Sequence, residues 1–166
     1  CLNLNIWAPA ATDDDKLPVL VWLYGGSFLV GSASDALFDG EKFARKGVIL
    51  ITANYRVGVF GFLAHPALTA ESPHRSSSNY ALLDQLAALR WIRDNIANFG
   101  GDPGRVTVFG VSAGSASASL LLTSPLAKGM FQQTILESPG AFRPLASLAE
   151  AEAYGLKLGT DLAALR

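Results

Sequence analysis

Apolar positions recur along the chain in two rhythms. At the start, Leu2, Leu4 and Ile6 alternate with Asn3, Asn5 and Trp7 until Pro9 stops the pattern, the period of two that a half-buried strand requires. Val19 to Tyr24 is instead apolar throughout, and Val48 to Thr52 repeats the same character, as strands covered on both faces do. A helical period takes over from Asn79 to Phe99, where Leu82, Leu83, Leu86, Leu89, Ile92, Ile96 and Phe99 recur at three- and four-residue spacing. Gly100 and Gly101 then close that helix.

Shorter elements fill the gaps. Residues 39–46 read as a short helix ended by Gly47, and Val57 to Leu63 is an apolar stretch punctuated by glycine. Ala64 to Ser78 reads as a polar loop carrying His65 and His74, neither flanked by a group that would orient an imidazole. Thr134 to Glu137 is one more short strand, and Pro139 and Pro144 bracket the loop after it. Ser147 and Glu150 have the spacing of a capping box, opening a last helix through Leu158. Strands separated by helices, with continuous apolar runs, predict an α/β protein with a mainly parallel sheet.

The chemistry concentrates at one junction. Val106 to Phe109 is a β-branched, apolar run ending at Gly110, and Val111-Ser112-Ala113-Gly114 leads into a small-residue stretch through Leu122. Strand, Gly-x-Ser-x-Gly and helix in succession predict a turn sharp enough to strain the serine backbone and lift its hydroxyl clear of the sheet. The first turn of the following helix aims N–H groups and the positive end of its dipole at the same spot, which suits an attacking oxygen that generates negative charge. A dinucleotide-binding turn is excluded, because Gly-x-Gly-x-x-Gly is not met and Met130 and Phe131 stand where an acidic residue is needed. Gly25-Gly26-Ser27-Phe28, at the end of another buried strand, is either a plain turn or an anion-binding loop.

Composition narrows the function classes. Of 166 residues, 50% are hydrophobic and 16% charged, a richer core than the length requires. The net charge is −1 and no basic run exceeds two residues, so neither nucleic acid nor an anionic membrane is implied as a partner. No apolar run approaches the roughly 18 residues of a transmembrane helix. One Cys and two His are too few for a zinc or iron–sulfur site, and no cofactor or metal is called for. Cys1 is either a free thiol or half of a disulfide. Asp13-Asp14-Asp15 reads as a solvated loop, Asp84, Arg90 and Asp94 as polar-face or pinning residues, and Asp102 with Arg105 as a loop-closing ion pair.

Taken together, Phe99-Gly100-Gly101-Asp102-Pro103, the run from Val106 to Gly110 and Ser112-Ala113-Gly114 closely resemble the signature around the nucleophile of type-B carboxylesterases. This is the α/β-hydrolase group that includes cholinesterases and fungal lipases. Cys1 to Pro9, Gly25 to Phe28, Asn54-Tyr55-Arg56, Gly61-Phe62-Leu63 and Asn79-Tyr80 through Asp84-Gln85 fall in the family's order. The resemblance implies a partial α/β-hydrolase fold and a small-molecule carboxylic ester as substrate. It implies Ser112 as nucleophile, and the N–H groups of Gly26, Ser27 and Ala113 as the oxyanion hole, with Gly25 shaping the loop. It also relates the Cys1 segment to one disulfide-bonded in secreted relatives, favouring an extracellular location, although no Asn-x-Ser/Thr sequon occurs.

Two positions depart from the family pattern. Val111 stands where Glu is usual, and Ser27 where Gly or Ala is usual. In this fold the triad follows the order Ser, acid, His, yet no histidine follows Ser112. Residues 1–166 therefore read as the N-terminal part of a single catalytic domain, with base and acid supplied elsewhere and little turnover from this stretch alone. Two other readings stand beside it: a non-catalytic interaction module such as the family's adhesion members, and a genuine but inactive truncated product.

Overall fold

The computed structural model describes residues 2–9, 12, 14–139 and 144–161; Cys1 and its disulfide reading lie outside them. Five strands form one sheet: β1 (Leu4–Trp7), β2 (Leu17–Leu23), β3 (Ile49–Ala53), β4 (Gly101–Val111) and β5 (Gln133–Glu137), in the order β1-β3-β2-β4-β5. Every pairing is parallel except that of β1 with β3. The sheet is thus mainly parallel with one antiparallel edge strand. The helices are α1 (Glu41–Ala44), α2 (Gly58–Phe62), α3 (Pro66–Glu71), α4 (Tyr80–Asn95), α5 (Ala113–Thr123) and α6 (Leu148–Gly155).

The core lies on one face of the sheet. Val19, Val21 and Leu23 of β2, Ile49 and Ile51 of β3, and Val106 and Val108 of β4 pack against Leu86, Leu89 and Ile92 of α4 and Ala118 and Leu121 of α5. The helical apolar stripe and the strand runs therefore meet each other, and each of the Val, Leu and Ile side chains contributes roughly 1.5–3 kcal/mol by leaving water. On the opposite face Trp22 lies against Phe38 and Phe109, with ring centroids 5.2 and 4.9 Å apart. Leu20 and Trp22 are only half-buried there, so β2 is less evenly covered than its apolar run predicts. Gly100, at φ +77°, ends the turn that follows α4, while Gly101 already pairs with Leu17 in β4.

Two expectations are corrected. Asp102 and Arg105 form no ion pair: the Asp102 carboxylate accepts from Gly104 N–H at 2.8 Å, and Arg105 donates to Lys16 O at 3.3 Å. Both sit where the β2–β4 register shifts, a bulge that turns the two side chains to different backbone partners. The polar loop of 64–78 contains α3, because Pro66 pre-sets its first turn and the His65 ring caps it, accepting from Ala67 N–H at 3.2 Å. His65 is buried, and its other ring nitrogen meets Gly159 O at 3.0 Å. The imidazole is oriented after all, as a structural tie between α3 and the turn that follows α6. Glu152 of α6 reinforces it by accepting from Thr69. His74 stays exposed.

Candidate active site

The junction of β4 and α5 is built by close approach. A Cβ at Gly110 would lie 2.7 Å from both Gly114 C and Leu23 O, and one at Gly114 would lie 1.9 Å from Leu23 O. Only hydrogen at these two positions lets α5 descend onto the ends of β4 and β2. The residue between them takes up the turn: Ser112 has φ 53° and ψ −116°, a region that an L-residue occupies only when its surroundings dictate it. They do so on both sides, since Ser112 N–H donates to Glu137 O at 3.0 Å and Ser112 O accepts from Ala116 N–H at 2.9 Å. Ser112 is exposed while Ala113, Gly114 and Ser115 behind it are buried.

The glycine loop after β2 arrives beside this serine. A Cβ at Gly25 would stand 3.5 Å from Ser112 Cβ and 3.1 Å from Val111 O, so the loop and the turn are in van der Waals contact. Gly26, Ser27 and Phe28 all have positive φ, at 117°, 55° and 61°. The chain folds back at once, with Leu29 N–H and Val30 N–H both donating to Gly26 O, at 2.9 and 3.2 Å. Gly26 N–H and Ser27 N–H have no acceptor among the described residues. Ala113 N–H, at the first position of α5, has no intrahelical acceptor either. Ser112, Gly26, Ser27 and Ala113 thus belong to one neighbourhood: two chain segments joined through Gly25, with three amides unspent.

Val111 presents a methyl to that contact, its Cγ1 lying 3.3 Å from the Cβ position of Gly25. The space beside Gly25 is thus closed by an apolar group. Neither His65 nor His74 is hydrogen-bonded to Ser112. Phe28, next in the chain to Ser27, opens onto a cavity of about 630 Å³ whose walls include Phe62, Leu63, Tyr154 and Leu158. Its lining is almost wholly apolar.

Tyr24 and Tyr55 stack at 4.3 Å with rings 10° apart, and both are buried. Burial raises the pKa of each phenol above its ordinary value, most strongly for Tyr55. Asp84 is the pinning residue its position in α4 suggested: its carboxylate takes Arg56 N–H at 3.0 Å and the guanidinium at 2.7 Å twice. This bonding raises the arginine pKa. The two tyrosines stand 31 residues apart, so no local spacing announces them. The signals were that Tyr24 ends an apolar run and that Tyr55 falls in the Asn54-Tyr55-Arg56 segment just after another.

The profile of the carboxylesterase family matches residues 1–164. A fumonisin B1 esterase from Sphingopyxis macrogoltabida is 57% identical over 166 residues, all of this chain and 31% of that protein. A para-nitrobenzyl esterase from Bacillus subtilis (strain 168) is 52% identical over 146 residues, covering 87% of this chain and 29% of its own. Among solved structures, a Geobacillus stearothermophilus carboxylesterase superposes with a TM-score of 0.85 at 46% identity, over 93% of this chain and 33% of its own. The chain therefore spans about a third of the length of the relatives it matches.

Proposed function

The chain belongs to the carboxylesterase family, whose fold is the α/β-hydrolase fold, and from that premise we propose that its residues carry the nucleophile and oxyanion hole of a serine esterase. Residues 1–166 form the N-terminal part of one catalytic domain. Ser112 Oγ attacks the carbonyl carbon of a carboxylic ester as a general base takes its proton. The resulting oxyanion is received by the N–H groups of Gly26, Ser27 and Ala113. Collapse of this intermediate breaks the ester C–O bond, and the alcohol leaves with the proton. Water then attacks the acyl-enzyme, releasing the acid and restoring the Ser112 hydroxyl. One donor of such a hole is typically worth about 100- to 1,000-fold in rate.

The observation that carries the reading is the strained, exposed Ser112 at φ 53°, with Gly25 packed against it. A non-catalytic interaction module needs neither that strain nor three unspent amides beside one hydroxyl. The base and acid belong to sequence outside these residues. A triad hydrolase stripped of its base typically loses about a million-fold, so the 166-residue stretch alone turns over little or no ester. The apolar cavity beside Phe28 favours esters with an apolar acyl or alcohol part.

The test is labelling of the full-length protein with a fluorophosphonate. Stoichiometric label on Ser112, lost in Ser112→Ala together with ester hydrolysis, is expected. Label on another residue, or hydrolysis surviving Ser112→Ala, would refute the assignment.

A further inference from the structure

The loop Gly25-Gly26-Ser27 poses a physical problem. Ser27 and Phe28 are not glycines, yet they sit at φ 55° and 61°, and such conformers persist only where the surroundings over-determine them. Leu29 N–H and Val30 N–H close the loop on its far side by bonding to Gly26 O, but that bond lies within the loop and does not place it against Ser112. Something outside it must.

Beyond the packing of Gly25 on Val111 and Ser112, the hydrogen bonds from outside come from one tetrapeptide. Tyr55 Oη donates to Tyr24 O, the last carbonyl before Gly25. Gly58 N–H donates to Phe28 O, the first carbonyl after Ser27, at 2.6 Å. The three residues that shape the proposed hole are therefore bracketed, one bond at each end, by groups three residues apart. Tyr24 completes the near end by donating from its own hydroxyl to Tyr55 O at 2.9 Å. Its ring leaves no room for a Cβ at Gly31, which would lie 2.3 Å from it, so the loop's exit is fitted to the same ring. Gly58 stands at φ +59°, and as the first residue of α2 its N–H has no intrahelical acceptor to compete for it.

The tetrapeptide is itself anchored. Arg56, between Tyr55 and Gly58, is held by Asp84 of α4 through its backbone N–H and its guanidinium, and α4 is seated in the core through Leu86, Leu89 and Ile92. A rigid path thus runs from the core through α4, Asp84 and Arg56 to both ends of the loop.

We infer that Tyr55 and Gly58 are positioning residues that hold the Gly26 and Ser27 amides in place from the two ends of their loop. The inference rests on the reading of those amides as an oxyanion hole. Gly58 also borders the apolar cavity while Tyr55 does not, but the role inferred for both is to fix where the donors point, and donors misplaced by an ångström can cost about 100-fold.

The experiment uses the full-length protein with p-nitrophenyl esters, kinetics being normalised to sites titrated to completion with a fluorophosphonate so that only folded molecules count. Tyr55→Phe keeps the stacked ring and removes the donor to Tyr24 O. Its kcat is expected to fall about 10- to 100-fold with KM unchanged. Affinity for a trifluoromethyl ketone, whose adduct places an oxyanion in the hole, is expected to fall by the same factor as kcat/KM. Gly58→Ala has space for its methyl, 3.8 Å from Leu29 O, but strains the backbone that aims the other bond, and should show the same signature. It decides the matter if Tyr55→Phe yields no titratable sites. Wild-type kcat and ketone affinity in the variants, or a loss confined to KM, would overturn the inference. Absence of label on Ser112 in the unmodified protein would instead overturn the esterase reading beneath it.

Discussion

Gly114 shows how much a single hydrogen atom decides. Its α-carbon faces Leu23 O so closely that a methyl would lie 1.9 Å from that oxygen and 2.7 Å from Tyr24 O, backbone atoms at and just beyond the end of the central strand that cannot swing aside. Gly114→Ala is therefore expected to cost about 3 kcal/mol, the upper range for overpacking, and to lift α5 away from β2. Gly47 makes the contrast. It stands at φ +76° with no atom near its Cβ position, so Gly47→Ala pays only the left-handed conformer, about 1–2 kcal/mol. Denaturation midpoints of the two variants check this, and equal shifts would show that crowding at the turn is not what the glycine relieves. At this scale the turn was largely legible: Gly110, Ser112 and Gly114 occupy positions whose geometry follows from a strand turning directly into a helix. His65 was not legible, because its ring is oriented by the carbonyl of Gly159, 94 residues away, and by the cap of a helix that opens on proline.

At the scale of elements, the β2 and β3 ends are joined through the Tyr24–Tyr55 pair, which gives the fold an alkaline weakness. Desolvation raises both phenol pKa values in the folded state, whereas an unfolded tyrosine titrates near pH 10. Above that pH the unfolded chain has lost protons the folded one retains, so stability falls as pH rises. Below about pH 9 the pair adds no pH dependence. Spectrophotometric titration should find Tyr24 and Tyr55 absent from the early tyrosinate phase and ionising together with the loss of structure. All four tyrosines ionising near pH 10 with the fold intact would contradict it. The strand ends that meet here were visible as apolar runs and α4 as a helical period, since each pattern reflects burial along one element. The stacking of Tyr24 on Tyr55, the helix at Pro66–Glu71 and the bonding of Arg105 to Lys16 were not visible. The first and last depend on which elements become neighbours, which is fixed by sheet order; the helix at Pro66–Glu71 starts on a proline and a histidine cap that read as loop residues.

For the whole molecule, the sheet order β1-β3-β2-β4-β5 puts Ser112 at the C-terminal end of β4, one strand in from an edge. That edge, β5, pairs only with β4 among the described residues, and Ile135 at its centre is 49% exposed. Leu122 and Leu126, on and just beyond the neighbouring helix, are exposed as well. An apolar edge strand beside exposed leucines is a template for pairing with another chain. A domain three times as long, as in the relatives this chain matches, has further sequence with which to cover it. Expressed alone, residues 1–166 are therefore expected to self-associate and to bind a hydrophobic dye, as seen by light scattering after size exclusion and by dye fluorescence. Ile135→Lys places a charge on the open edge and should reduce the association. In the full-length protein the same lysine should destabilise instead, because there the proposed remainder of the domain covers β5. A monomeric, cooperatively unfolding product of residues 1–166, indifferent to Ile135→Lys, would mean that the sheet is complete as it stands, and the reading of these residues as part of a larger catalytic domain would have to be given up.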